Sequence, residues 1–178
     1  MLLSEDAQAV AKARFWSTQS REPFPWYEHR EIGYNYRMSN IVAGIGRGQL
    51  IHLEEHRAKK EEIYRTYEKE LAGLPVQMNP YLACSRPNFW LSCLTIDEGC
   101  AVTPEEIRLA LERDNIEARP IWKPMHMQPV FAENGFISVE DGDGVGGDIF
   151  RRGLCLPSDI KNTAEDMARI ISIIKGLF

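Results

Sequence analysis

Basic charge is scarce in this 178-residue chain: 21 lysines and arginines face 26 aspartates and glutamates, for a net charge of -5. Nonspecific nucleic-acid binding needs a basic face that displaces counterions, so that class is set aside. Long apolar runs are also missing. None approaches the roughly 18 residues that a membrane-spanning helix needs, so no membrane partner is expected. The opening segment Met1-Leu2-Leu3-Ser4-Glu5-Asp6 lacks a basic stretch and turns acidic at once. It therefore does not read as a secretion signal, and a cytoplasmic location is expected. Cysteine is sparse, at Cys84, Cys93, Cys100 and Cys155, with no C-x-x-C spacing and no paired histidine–cysteine clusters. A zinc site is not expected from that pattern. The cysteines read as reduced, non-catalytic small hydrophobes.

What is present is ordinary for a globular chain: 44% apolar and 26% charged residues, enough length to bury a real core. Ala7, Val10, Ala11 and Phe15 fall at helical spacing and predict a helix over residues 5–15. Residues 16–38 hold Pro23, Pro25 and several aromatics, Phe24, Trp26, Tyr27 and Tyr34 among them, and read as a long irregular loop, a type that is usually functional or a linker. Ser39 or Asn40 can cap the next helix. The apolar rhythm from Ile41 through Leu53, Ile63 and Tyr67 to Leu71 predicts one long helix, small-residue in its first half and highly charged in its second. After Gly73-Leu74-Pro75 the pattern changes. Val76–Asn79, Phe89–Ile96 and Ile116–Trp122 read as strands. Thr103-Pro104-Glu105-Glu106 and Thr163-Ala164-Glu165-Asp166 open two capped helices. Lys123–Phe131 reads as a loop or short helix, Gly135–Gly147 as a flexible acidic loop, and Asp148–Arg152 as a short helix leading into Leu154-Cys155-Leu156-Pro157. The expected class is α+β, a small sheet with helices on one face.

Several short motifs compete for a functional reading. His52-Leu53-Glu54-Glu55-His56 has the letters of a zinc-peptidase pattern. Its setting among Arg57, Lys59 and Lys60 favours a solvated helix face, and no metal site is assigned. Gly142, Gly144 and Gly147 spell G-x-G-x-x-G, yet Glu140, Asp141, Asp143 and Asp148 around them would repel a phosphate. His126, in Trp122-Lys123-Pro124-Met125-His126-Met127-Gln128-Pro129, sits in a loop of ligand-wall composition. It is a candidate binding residue beside the alternative of an exposed structural histidine. The stretch Gly33-Tyr34-Asn35-Tyr36-Arg37-Met38-Ser39-Asn40 places two tyrosines, an amide and a guanidinium ahead of a helix start. Asn35 and the cap groups could cradle an anion there and Arg37 could supply counter-charge. A polar loop that pairs only with its own protein is the competing reading.

Three separated segments carry a family resemblance: Gly33–Leu50, Glu117-Ala118-Arg119-Pro120-Ile121-Trp122-Lys123-Pro124-Met125-His126, and Arg152-Gly153-Leu154-Cys155-Leu156-Pro157-Ser158. Together, and in this order over essentially the whole chain, they resemble the DegT/StrS-type sugar aminotransferases, pyridoxal-phosphate enzymes of aminotransferase fold type I. Members tied to pilin or surface-glycan sugar biosynthesis look nearest. The resemblance implies transfer of an amino group, typically from glutamate, to a keto sugar on a nucleotide diphosphate. It implies a cofactor held on a lysine as a Schiff base. That lysine would lie in the large domain just ahead of the segment that Met1-Leu2-Leu3-Ser4 resembles. No lysine here (Lys12, Lys59, Lys60, Lys69, Lys123, Lys161, Lys175) sits in the family's lysine motif, so no catalytic residue is assigned. By the resemblance, Asn35 reaches the cofactor phosphate of the neighbouring subunit, Tyr34 and Arg37 line the same shared site, and His126 lies near the substrate entrance.

The resulting organisation is a tail of the large domain over residues 1–38, a connector helix over 39–72, and a small C-terminal α+β domain over 73–178. The chain is expected to be the C-terminal part of such an enzyme, inactive alone, and a homo-oligomer. The alternatives are a non-catalytic module that docks a separate N-terminal chain, and a zinc hydrolase using His52 and His56. Left without its large domain, the front segment would expose apolar surface and either associate or rearrange.

Overall fold

The computed structural model describes residues 2–139, 142 and 144–178. Its elements are α1 (Ala7–Ser17), α2 (Asn40–Leu50), α3 (Leu53–Glu70), β1 (Val76–Met78), β2 (Ser92–Ile96), α4 (Pro104–Arg113), β3 (Arg119–Pro120), α5 (Gly144–Arg152), β4 (Gly153–Leu156) and α6 (Ala164–Lys175). Two short 3-10 turns occupy Met125–Met127 and Pro129–Phe131. The chain divides into two compact units, one ending at His52 and one beginning at Leu53.

The second unit is an α+β fold around a four-stranded antiparallel sheet in the order β1-β2-β4-β3. Directly opposed residues share a face, so the register sorts the side chains. Val76 and Met78 of β1 oppose Ile96 and Leu94 of β2, and Leu94 opposes Leu154 of β4. This face meets Tyr67 of α3, Ile107 and Leu111 of α4, and Met167, Ile170 and Ile174 of α6 in one core cluster. Ile107, Leu111 and Ile174 are fully enclosed, and each such aliphatic side chain contributes about 1.5–3 kcal/mol by leaving water. Thr103 and Thr163 close reciprocal capping boxes with Glu106 and Asp166, which fixes where α4 and α6 begin.

The first unit holds α1, a folded loop and α2. Asp6 caps α1 by accepting from the Gln8 and Ala9 N–H groups. The loop returns to the end of α1 through bridges Thr18–Asn35 and Arg21–His29. Gln19 and Ser20 both adopt left-handed backbone, with φ of 69° and 51°. Gly33 lies so close that a Cβ there would stand 2.3 Å from the Gln19 carbonyl carbon and the Ser20 nitrogen. Only glycine fits that approach.

The structure departs from the expected elements in several places. The single helix expected from Ser39 to Leu71 is two, α2 and α3, separated by a turn at Ile51–His52. The unit boundary falls at that turn, inside the 39–72 stretch. The expected acidic loop over 135–147 gives way to α5 at Gly144; Glu140, Asp141 and Asp143 lie outside the described residues, as does Met1. Leu154–Leu156 belongs to a strand in the centre of the sheet. The strand expected over Ile116–Trp122 shrinks to Arg119–Pro120, because proline has no N–H with which to extend a ladder.

Candidate functional site

In the first unit, Tyr34, Asn35 and Arg37 occupy the strand-like return of the loop. Backbone bonds fix it: the Tyr34 N–H donates to the Trp16 carbonyl at 2.7 Å, Gln19 N–H to the Tyr34 carbonyl at 3.0 Å, and Tyr36 N–H to the Ser17 carbonyl at 3.1 Å. Tyr34 and Tyr36 stack in parallel, with ring centres 5.1 Å apart. The Asn35 and Arg37 side chains are exposed. Ser39 caps α2, its Oγ accepting the Val42 N–H at 3.3 Å. The loop thus offers an amide, a guanidinium and two phenols from a rigid backbone, next to a helix N-terminus whose N–H groups attract anions. Glu31 braces the same loop against α1, pairing with Lys12 and accepting the Trp16 indole N–H at 2.9 Å. Those bonds hold its carboxyl below the usual range, the Lys12 hydrogen bond first.

His126 belongs to the second unit. Its ring stacks on Phe136, centres 3.6 Å apart and nearly parallel. Its Nε2 is enclosed without a hydrogen-bond partner. That is an unusual state for a ring nitrogen, since enclosed polar atoms are normally paired.

The second unit also carries an open cavity of about 690 Å³, walled in part by the Glu117–Trp122 and Cys155–Ser158 segments. Trp90 and Trp122 flank it, with ring centres 5.9 Å apart and planes tilted by 36°. Arg119, Arg169, Asn162 and Ser158 contribute polar wall. Arg119 pairs with Glu117 at 2.7 Å, and Arg169 with Asp114 at 2.9 Å. Two elements hold the rim. Lys60 of α3 sends its ammonium to the carbonyls of Trp90 and Ser158. Ser158 Oγ accepts the Ser92 N–H at 2.9 Å and donates to the Leu156 carbonyl at 2.8 Å. Arg119 and Trp122 were visible in the sequence only as part of a motif. Trp90 was hidden inside an apolar run, and Arg169 on an ordinary amphipathic helix.

His52 lies in the turn before α3 and His56 on α3 itself, and the described residues contain no cluster of three or more metal-ligating side chains. Gly144 and Gly147 are in α5, with no strand among the described residues leading into it, and Asp148 of that helix is engaged by Arg152.

A model of the DegT/DnrJ/EryC1/StrS aminotransferase family matches residues 1–175. The Bacillus subtilis protein EpsN, provisionally named a pyridoxal phosphate-dependent aminotransferase, is 45% identical over 179 residues, covering 100% of this chain and 46% of that protein. A GDP-perosamine synthase of Caulobacter vibrioides is 32% identical over 98% of this chain and 46% of its own length. Among solved structures, a DegT DnrJ EryC1 StrS aminotransferase from Brucella abortus superposes with a TM-score of 0.81 at 21% identity, over 98% of this chain and 45% of that one. The chain spans about half the length of the relatives it matches.

Proposed function

This chain belongs to the DegT/DnrJ/EryC1/StrS aminotransferase family, and from that premise we propose that it is the C-terminal part of a nucleotide-sugar aminotransferase, inactive by itself. The observation that carries the reading is the match along residues 1–175 by a chain that spans 46% of its relatives. In this reading the first unit is the tail of the large domain and the second the small domain.

Pyridoxal phosphate supplies the electron sink for moving an amino group between glutamate and a keto sugar. The residues of this chain fit one end of it. Asn35, Arg37 and the α2 N-terminus have the donor chemistry for phosphate oxygens, and Tyr34 walls the same edge. They would serve the cofactor of a neighbouring subunit in a homo-oligomer. The other end finds no match among the described residues. A lysine that holds the cofactor needs burial or a cationic neighbour to free its amine. Lys12, Lys59 and Lys175 are exposed and paired with Glu31, Glu55 and Glu70. Lys60 is spent on two carbonyls, and Lys69, Lys123 and Lys161 are exposed. The Trp90–Trp122 pair with Arg119 and Arg169 has stacking and charge chemistry suited to a nucleoside diphosphate, and His126 would stand at the substrate entrance.

The test is reconstitution. The chain alone, given pyridoxal phosphate and borohydride, should yield no stoichiometric adduct on any one lysine. Mixed with the remaining part of the Bacillus subtilis relative, glutamate and a GDP-linked keto sugar, it should restore transamination. Asn35→Ala should then raise the cofactor concentration needed for half activity. A specific lysine adduct on the isolated chain would overturn the proposal.

One observation favours an assembly role within the same reading. α1 and α2 contain no buried residue, and Ile41, Val42, Ile45 and Leu50 are all more than half exposed. An apolar helix face of this kind is a docking surface for the rest of the fold.

A further inference from the structure

Two of the cysteines that look scattered in the sequence are neighbours in the sheet. Cys93 of β2 and Cys155 of β4 occupy directly opposite register positions, and their sulfurs are 3.5 Å apart. The backbone bonds around Cys93 identify the kind of pair. Its N–H donates to Asn79 Oδ1 and its carbonyl accepts the Asn79 N–H, each at 2.9 Å. Both groups therefore point toward the β1 side and away from β4. That makes Cys93–Cys155 a non-hydrogen-bonded pair, the class whose Cα atoms lie about 4.5 Å apart. Disulfides span Cα separations of about 4.4–6.8 Å, so the two thiols can be joined by side-chain rotation alone.

The pair lies on the sheet face opposite Leu94 and Leu154, with Arg119 of β3 opposed to Cys155. Cys155 also lines the Trp90–Trp122 cavity, which gives a small oxidant a route to its sulfur. The two thiols are electrostatically unlike. A hydrogen bond from the Cys93 thiol holds Cys155 below the usual thiol range, against the effect of burial, and the Arg119 guanidinium adds to the lowering. The same hydrogen bond, then burial, pushes Cys93 up. Such asymmetry distinguishes an attacking from a resolving thiol.

We propose that Cys93 and Cys155 form a redox-active thiol pair, oxidised by hydroperoxides to a cross-strand disulfide in the cavity wall. The Cys155 thiolate attacks hydrogen peroxide; an S–O bond forms, the O–O bond breaks, and the leaving hydroxide takes up the proton that Cys155 released. The Cys93 sulfur then attacks the sulfenic sulfur; the S–S bond forms, the S–O bond breaks, and the oxygen leaves as water with the Cys93 proton. Two thiols lose two electrons and the peroxide gains them. The proposal is independent of the aminotransferase reading.

The reduced chain, treated with stoichiometric hydrogen peroxide, unfolded, alkylated and mapped without reductant, should lose two of its 4 free thiols. One cross-linked peptide pair should join Cys93 to Cys155, and dithiothreitol should reverse it. Cys93→Ser should leave a sulfenic acid on Cys155 that dimedone traps. A double variant, Cys84→Ser with Cys100→Ser, keeps the pair and should keep the cross-link, which guards against a folding defect in the single variant. Recovery of alkylated Cys93 and Cys155 from the oxidised sample would overturn the proposal, as would a cross-link running through Cys84 instead.

Discussion

Ser158 is the clearest place to test how the cavity rim is held. The residue is 7% exposed and Ser92 is fully enclosed. Ser158 Oγ accepts the Ser92 N–H at 2.9 Å while donating to the Leu156 carbonyl at 2.8 Å. Ser158→Ala removes both bonds and leaves the N–H of the enclosed Ser92 without its partner. An orphaned buried group costs about 1–3 kcal/mol. The alanine gives a little back, because no hydroxyl has to be desolvated, so about 2 kcal/mol is the expected loss. With a urea dependence of about 1–3 kcal/mol per molar, the unfolding midpoint should fall by roughly 1 M. Hydrogen exchange reads the same event locally, since the Ser92 amide should lose protection before its strand neighbours do. Ser85→Ala is the control. Its exposed hydroxyl donates only to the Leu82 carbonyl, and its loss should stay within about 0.5 kcal/mol. An unchanged Ser92 amide in Ser158→Ala, or a midpoint indistinguishable from the control, would refute the reasoning.

Gly33→Ala places a methyl group 2.3–2.4 Å from atoms of Gln19 and Ser20; exchange protection should vanish at the Gln19 and Tyr34 amides and persist through α6, and retained protection at Tyr34 would contradict the packing. Thr163→Ala breaks the α6 capping box and should lower the stability of the second unit by about 1 kcal/mol, read by thermal unfolding. Asp148 is held below the ordinary aspartate range, mainly by its hydrogen bond with Arg152. A carboxyl depressed on folding stabilises fully above its unfolded value, about 3.9, and loses that contribution as pH falls through the lower folded value. The gap between wild type and Asp148→Asn should therefore be open at neutral pH and closed in strong acid, and an equal gap at both ends would rule the pairing out as its source.

The parts of the second unit that announce themselves locally were legible in the sequence. Thr103 and Thr163 with their matching acids mark α4 and α6, and the apolar run Phe89–Ile96 marks β2, which forms over its second part, Ser92–Ile96. β4 escaped because all of its residues are buried, which leaves no polar–apolar alternation to read. It also abuts α5 directly, with Gly153 pressed to 2.5 Å of Ile121 for any added Cβ. α5 begins on glycine, the weakest helix former after proline, so a loop was the natural reading. The break at Ile51–His52 interrupts an apolar rhythm that carries on across it. Of the candidate residues, Tyr34, Asn35, Arg37 and His126 could be singled out from composition and resemblance. The Cys93–Cys155 pair could not, because sixty-two positions of chain separate them and only the strand register brings them face to face.

That strand order has a consequence for how the protein is made. β4 sits between β2 and β3 although it comes after both in sequence. Tyr67 donates to the Pro157 carbonyl across 90 positions, and Lys175 reaches Glu70 across 105. A growing chain must therefore have been made as far as Leu156 before the sheet can close. Until then β2 waits on the ribosome with one edge unpaired, a state prone to sticking to other strands. Contacts of such separation also slow the search for the native state. Variants that weaken β4 should accordingly be seen first in the yield of soluble protein during synthesis, ahead of any change in the finished molecule.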